Sequence, residues 1–305
     1  MKRILKILLI ITVLVGSLAG CRQATKDAAP SRFFEWTDSY GREIVLEKAP
    51  QRIASLSPAI TEIFYMIGAE NKLVGVSDFC HYPPEVEKIP KIGGMQNINM
   101  EALLAQHPDV LLIGSMVSEK DVETIEKMNI PVVTIKEESN IEGMSEMIEV
   151  LGRITGCEQK ASEEATRWRQ RIEQLKRENE KMKGSEKSVF YVVGFGDAGD
   201  FTAPKGSHIH EMIELAGCRN IGAELSNWNV SREFLFKSDP DIIIIRSEDC
   251  DAFKSQYPYT QLKAVKKGHV YPIESGWIDV VSTRNLQAIE FIRQKAQELD
   301  SCFFE

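Results

Sequence analysis

The twenty-six residues from Glu158 to Lys183 contain neither glycine nor proline, and that uninterrupted run does most to limit what the chain can fold into. Its apolar positions Ala161, Ala165, Trp168, Ile172, Leu175 and Met182 recur at helical spacing, with Asn179 standing where one apolar residue is missing. The spacing predicts a single apolar stripe along a helix of about 39 Å at a rise of 1.5 Å per residue. Such a helix serves either as one half of a short coiled coil or as a rigid strut between two parts of its own chain. The flanking sequence decides between them.

The N-terminus sets the compartment. Lys2, Arg3 and Lys6 precede an apolar run from Ile7 to Val15 and then Leu18-Ala19-Gly20-Cys21. A charged start, a short apolar stretch and a small-residue site describe a secretory signal, with too few apolar residues to span a bilayer. The Leu-Ala-Gly-Cys ending resembles a bacterial lipobox, which implies cleavage after residue 20 and lipid on the Cys21 thiol. The alternative is an ordinary signal with an incidental cysteine. Residues 21–31 are polar and alanine-rich and are expected to act as a tether. Removing residues 1–20 takes away three positive charges, so the net charge falls from −8 to −11. So acidic a chain is a poor partner for nucleic acid. Cys80, Cys157, Cys218, Cys250 and Cys302 show no C-x-x-C spacing, which argues against a zinc ribbon or a thioredoxin-like site and leaves their pairing open.

The mature chain reads as alternating strands and helices. Phe33–Thr37 and Glu43–Leu46 flank a turn sequence and predict a hairpin. Strands are expected at Arg52–Leu56, Leu73–Val76, Val110–Ile113 and Val132–Ile135. Helices are expected from Pro58 to Gly68 behind a Ser57 cap, from Met100 to Gln106 behind Asn99, over Glu119–Met128 and over Ile141–Ile154. After the long helix the pattern restarts, with strands at Ser188–Val193, Ile242–Ile245 and Val270–Ile273. Helices there follow Ser207 and Ser231 and close the chain over Thr283–Glu298. Units of this kind favour mainly parallel sheets.

The two halves also match in detail. Glu101 precedes Pro108-Asp109 and a strand as Glu233 precedes Pro240-Asp241 and a strand, with the same interval. A second register runs Ser57, Glu62, Gly68, Asn71 against Ser207, Glu211, Gly217, Asn220. The sequence therefore reads as residues 32–156 forming one lobe, 157–183 a strut, and 184–305 a related second lobe.

Motifs for chemistry are few. Gly194, Gly196 and Gly199 form a G-x-G-x-x-G after a strand, but Pro204 and Gly206 follow where a dinucleotide site needs a helix, so a flexible, backbone-exposed cleft loop is expected, with Phe201 available to a ligand. Cys80 and His81 are neighbours in extended chain and point apart, which rules against a thiol–imidazole pair. His208 and His210 read as capping or surface residues, and His107 as a residue that satisfies carbonyls at a helix end. His269 has no evident partner. No nucleophile elbow, His-Glu-x-x-His or Walker loop occurs. No catalytic residue, metal site or cofactor is therefore assigned, and enzymatic activity is not expected.

The lipobox, Arg52-Ile-Ala-Ser-Leu-Ser-Pro58-Ala-Ile-Thr-Glu62, Leu73-Val-Gly-Val-Ser-Asp78 with Tyr82-Pro83-Pro84-Glu85, and Val230-Ser231-Arg232-Glu233 together resemble the solute-binding lipoproteins of ABC importers in the cobalamin and iron-chelate class. The resemblance covers nearly the whole mature chain and is closest to the cobalamin-binding member. It implies two Rossmann-like α/β lobes joined by one long α-helix, a ligand cleft between them, and a monomer anchored by lipid outside the cytoplasm; the continuous helix itself resists bending and predicts little closure on binding. It implies an ABC permease dimer with its ATPase as partner, docked through Glu101 and Glu233. Tyr82, Phe201 and Trp228 fall at or near the places where such proteins line the cleft with aromatics, and Trp277 remains near the C-terminus. The chain departs from the pattern at Met95, where the family has a tryptophan, and at Gly276 and Val280, with Asp279 and Arg284 nearby. A corrinoid is the expected ligand. Haem held by Tyr82, His81 or Met95 is the next reading, and a ferric siderophore the third. Other classes are a metal-tetrapyrrole enzyme on the same fold and a surface protein that binds another protein.

Overall fold

A computed structural model describes residues 32–301 apart from 39, 115–116, 136–139, 182–183 and 185. The signal sequence, Cys21, the tether, Ser115, Met116, Met182, Lys183 and Cys302 lie outside the described residues.

The chain opens with the expected hairpin, β1 (Phe34–Thr37) antiparallel to β2 (Glu43–Leu46). The first lobe then builds a sheet from β3 (Ile53–Ser55), β4 (Leu73–Val76), β5 (Val110–Ile113) and β6 (Val132–Thr134). All pairs are parallel and the order is β4-β3-β5-β6. The second lobe uses β7 (Ser188–Val192), β9 (Arg219–Asn220), β11 (Ile242–Arg246) and β12 (Val270–Ile273), parallel again, in the order β9-β7-β11-β12. Both lobes thus read second, first, third, fourth, so the sequence repeat is a repeat of topology. A short ribbon, β8 (Asp200–Phe201) against β10 (Asn229–Val230), belongs to the second lobe alone.

Helices cover the sheets as the capping residues predict. Ser57, with Pro58 at the first position, opens α1 (Pro58–Ile67), which Gly68 ends in the left-handed region at φ 73°. Asn99 and Ser118 open α2 (Met100–Ala105) and α3 (Glu119–Glu126). Then α4 (Met144–Thr155) leads into the long α5 (Glu158–Glu180). Ser207 opens α6 (His208–Leu215) and Ser231 opens α7 (Arg232–Ser238), each side chain accepting from a backbone N–H in the first turn. Three short helices were not legible as such: α8 (Cys250–Ser255), α9 (Lys263–Lys267) and α10 (Ser275–Ile278). The closing helix is α11 (Asn285–Ser301).

Two helix starts come later than the pattern predicts, and at each the residues ahead of the helix bond across to the other lobe. Ile141 is expected to be helical, but its N–H donates to Glu211 Oε2 and its carbonyl accepts from Trp168 Nε1. Thr283 and Arg284 likewise spend their side chains on Glu62 before α11 begins.

Strand alternation divides the core. Ile53, Val110, Leu112, Val189, Tyr191, Ile242 and Ile244 face one cluster, while Ala54, Leu111 and Ile113 face a second and Phe190, Val192, Ile243 and Ile245 a third. The first cluster is continuous through both lobes and takes in the whole stripe of α5 that is described, Ala161, Ala165, Trp168, Ile172 and Leu175. The stripe packs on its own chain. Gly152 lets α4 and α5 cross closely, because a Cβ there would stand 2.2 Å from the Ala161 Cβ. At 23 residues the strut spans about 35 Å. It is tied to both lobes: Arg169 Nε donates to Ser145 Oγ at 3.2 Å, and Arg171 Nε to Glu290 at 3.0 Å. Asn179, the polar residue in the stripe, donates to the carbonyls of Glu214 and Leu215 at 3.0 Å and accepts from Arg293 at 2.7 Å.

Candidate ligand cleft and docking acids

The carboxyl ends of the parallel strands carry the loops where α/β folds place their ligand contacts. After β4 the chain runs through Asp78 to Pro84, with Cys80 and His81 pointing apart as expected. Cys80 is buried, 3.3 Å from Thr61 Oγ1, and burial pushes its thiol up to about 11. His81 is exposed, with Nδ1 2.7 Å from Glu87. Tyr82 is 41 % exposed, and the Arg284 guanidinium of the second lobe lies 4.5 Å from its ring centroid. Met95 helps to line a recess of about 290 Å³ with Asp78, Phe79 and Asn97.

On the second lobe, the glycine loop is pinned where a flexible one was expected. Gly196 N–H donates to Tyr259 Oη at 2.9 Å and to Asp200 Oδ1 at 3.2 Å, and its carbonyl accepts from Arg232 at 3.0 Å. A strand follows the loop, so the dinucleotide reading fails on geometry as well as on sequence. Phe201 lies against the loop, its ring 3.2 Å from where a Cβ on Gly194 would be, and Trp228 beside it is exposed. Trp277 on α10 packs edge-on to Phe291 at 6.5 Å. The structure therefore groups Tyr82 with the Trp277 helix through Arg284, while Phe201 in β8 lies beside Trp228, which directly precedes β10.

Sequence reasoning passed over Phe79 and Tyr257, 58 % and 78 % exposed. Both sit in aromatic loops that carry proline, Phe79 in the same loop as Tyr82 and Tyr257 directly before Pro258, a signal that could have found them. Two arginines also face this region, but each is matched by carboxylates. Arg284 meets Glu62 at 2.7 Å, and Arg246 lies 3.5 Å from Asp249 and 3.7 Å from Asp279. They supply little uncompensated positive charge.

The histidines differ from expectation. His210 is buried beside Asn220, and Arg52, not His107, takes the carbonyls at the end of α2. His269 finds the Asp241 carbonyl at 3.2 Å. His208 donates from Nε2 to the Ile278 carbonyl at 2.9 Å, and burial lowers its pKa from 6.5 despite that carbonyl and nearby Asp279. The unfolded chain therefore binds the proton at higher pH than the folded one. Stability from this group is complete above pH 6.5 and declines below it, by at most about 1.4 kcal/mol per pH unit. Urea midpoints measured from pH 7.5 to 5 are expected to fall less in His208→Gln than in the parent chain.

Glu101 and Glu233 occupy the same position in the first turns of α2 and α7, where the helix dipole favours a carboxylate. Both are exposed and neither has an ion-pair partner among the described residues. Their surroundings repeat as well. Asp109 Oδ2 accepts from the Gln51 and Arg52 N–H groups at 2.8 and 2.9 Å, and Asp241 Oδ2 from the Ser188 N–H and hydroxyl at 2.8 and 2.6 Å.

The family of periplasmic binding proteins matches residues 53–275, which takes in both sheets. The chain belongs to that family. Among its relatives, an uncharacterised ABC transporter substrate-binding lipoprotein, YvrC of Bacillus subtilis, is 28 % identical over 92 % of each chain. The vitamin B12-binding protein of Pectobacterium atrosepticum is 30 % identical over 64 % of this chain and 71 % of its own. The periplasmic vitamin B12 binding protein BtuF of Vibrio cholerae shares the fold with a TM-score of 0.69 at 22 % identity, covering 82 % of this chain and 97 % of its own. The haem-binding protein RhuT from Roseiflexus does so with a TM-score of 0.71 at 18 % identity, over 81 % and 98 %. Among the described residues of this periplasmic binding protein, no helix is long and apolar enough to cross a membrane, and no cluster of His, Cys, Asp and Glu could hold a metal ion.

Proposed function

We propose that this chain is the extracytoplasmic binding protein of an ABC importer for a metal chelate, that the chelate is a corrinoid, and that it acts by binding without catalysis. The observation that carries the importer reading is the matched pair Glu101 and Glu233. They are equivalent acids, exposed on two lobes of identical topology, and suit a partner with two-fold symmetry and basic pockets. An enzyme or a generic surface protein has no use for that match. In this reading residues 1–20 are a lipoprotein signal, Cys21 carries the anchor, residues 21–31 are the tether, and the mature chain is a monomer.

For the ligand, exposed Tyr82 and Trp228 offer aromatic faces to a flat macrocycle. The carboxylates beside Arg246 and Arg284 argue against a ferric siderophore, whose negative charge needs unmatched cations. Haem is the second reading, favoured by the exposed phenol of Tyr82, a side chain that ligates haem iron in some proteins. His81 is held by Glu87, and Met95 lines the neighbouring recess.

Absorbance titration of the purified protein with cyanocobalamin, haemin and a ferric chelate tests this. A shifted corrin band at micromolar or lower ligand supports the corrinoid, and a Soret shift supports haem. Turnover of the ligand without a transporter would overturn the binding reading.

A further inference from the structure

The repeat contains a second pair of acids, Glu62 and Glu211, for which docking has no use. Glu62 on α1 is 3 % exposed, and its Oε1 accepts from Arg284 Nη2 at 2.7 Å and Nε at 3.2 Å, while its Oε2 accepts from Thr283 Oγ1 at 2.8 Å. A first-lobe carboxylate is thus saturated by donors from the second lobe. Glu211 on α6 does the reverse, accepting from the first-lobe Ile141 N–H at 2.6 Å. Ile141 and Arg284 each lie just before the last helix of their lobe, α4 and α11, so the joint between lobes follows the two-fold repeat.

The symmetry breaks at one point. Arg284 also lies over the Tyr82 ring at 4.5 Å. Gly276 makes room for it, because a Cβ there would stand 2.2 Å from Nη1 and 2.8 Å from Cζ. A guanidinium gripped along its edge by a carboxylate keeps its flat face free for an aromatic ring. Glu211 holds the Ile141 backbone, whose carbonyl accepts from the buried Trp168 indole of the strut, and positions no exposed aromatic ring.

We propose that Glu62 is a positioning residue for the ligand site, holding Arg284 across the lobe boundary so that the exposed ring of Tyr82 is fixed at the cleft. The proposal rests on the reading of Tyr82 as a ligand contact. A ring fixed before the ligand arrives loses less rotamer freedom on binding. The same joint makes the Tyr82 face sensitive to the relative placement of the lobes.

The test uses the full chain in detergent with 13C-labelled tyrosine, the Tyr82 resonance being assigned by its loss in Tyr82→Phe. Glu62→Gln releases the guanidinium, Gly276→Ala displaces it while keeping both charged residues, and Glu211→Gln is the control from the other half of the joint. Without ligand, the Tyr82 resonance is expected to move toward the free-tyrosine position in Glu62→Gln and Gly276→Ala and to stay in Glu211→Gln. Titrated with cyanocobalamin or haemin, the first two variants are expected to bind about tenfold more weakly, within the range of a ring–cation contact. That loss should vanish in a Tyr82→Leu background, which a general loss of structure would not produce. A Tyr82 resonance unmoved in both variants, or a full additive loss in Tyr82→Leu, overturns the proposal. A parent chain that binds neither macrocycle overturns the ligand reading, and the ring resonance then still decides whether Glu62 positions Tyr82.

Discussion

Glu101→Arg combined with Glu233→Arg is expected to abolish stimulation of the importer's ATPase in proteoliposomes while the ligand titration stays unchanged. Both side chains are exposed on short, capped helices and hold no ion pair among the described residues, so reversing them costs the protein only the helix-dipole contribution, about 0.3–1 kcal/mol each. At an interface the outcome is different. Placing like charges opposite one another costs several kcal/mol, and about 2.7 kcal/mol already weakens docking 100-fold. Either single reversal should leave weak stimulation that is lost further as salt rises, since screening at physiological ionic strength acts over roughly 8 Å. Stimulation that survives the double reversal would sink the docking assignment.

The largest effect on stability is expected from Trp168→Ala, a loss of about 3–5 kcal/mol measured by urea denaturation. Trp168 is 4 % exposed at the middle of the strut stripe, and its indole N–H donates to the Ile141 carbonyl at 2.8 Å. The N–H of Ile141 is in turn held by Glu211 of the opposite lobe. The substitution therefore opens a cavity and frees a buried carbonyl at the junction of both lobes and the strut. One transition is expected to move as a whole, because the cluster that contains Trp168 runs through both sheets. Two separated transitions in the parent chain would show that the lobes are not joined by a common core.

Elements with long periodicity or a capping residue were legible in the sequence. The strut began where its stripe predicted, and Ser57, Asn99, Ser207 and Ser231 each opened a helix. The short helices α8, α9 and α10 were not, since four to six residues span too little of a helical period to register. His208 and His210 illustrate a different limit. Two residues at a helix start carry no mark of whether another segment will cover them, and here a carbonyl from α10 and the side chain of Asn220 do so. For the candidate site, the sequence offers Tyr82, Phe201, Trp228 and Trp277 one by one through the family resemblance, and their arrangement is not legible in it, because side chains from separate loops meet only in the folded chain.

Period and spacing are local properties that survive without knowledge of the fold, so the two α/β halves, the strut between them and the two registers of repeated glutamates are all readable in the linear chain. What the strut packs against, and how the two glutamate pairs differ, emerges from the folded molecule. Glu101 and Glu233 stay exposed, whereas Glu62 is buried against Arg284 and Glu211 holds the backbone of Ile141. Whether a carboxylate faces water or the opposite lobe depends on which helix face meets that lobe, and that is fixed when the stripe of α5 brings residues more than 200 positions apart into contact.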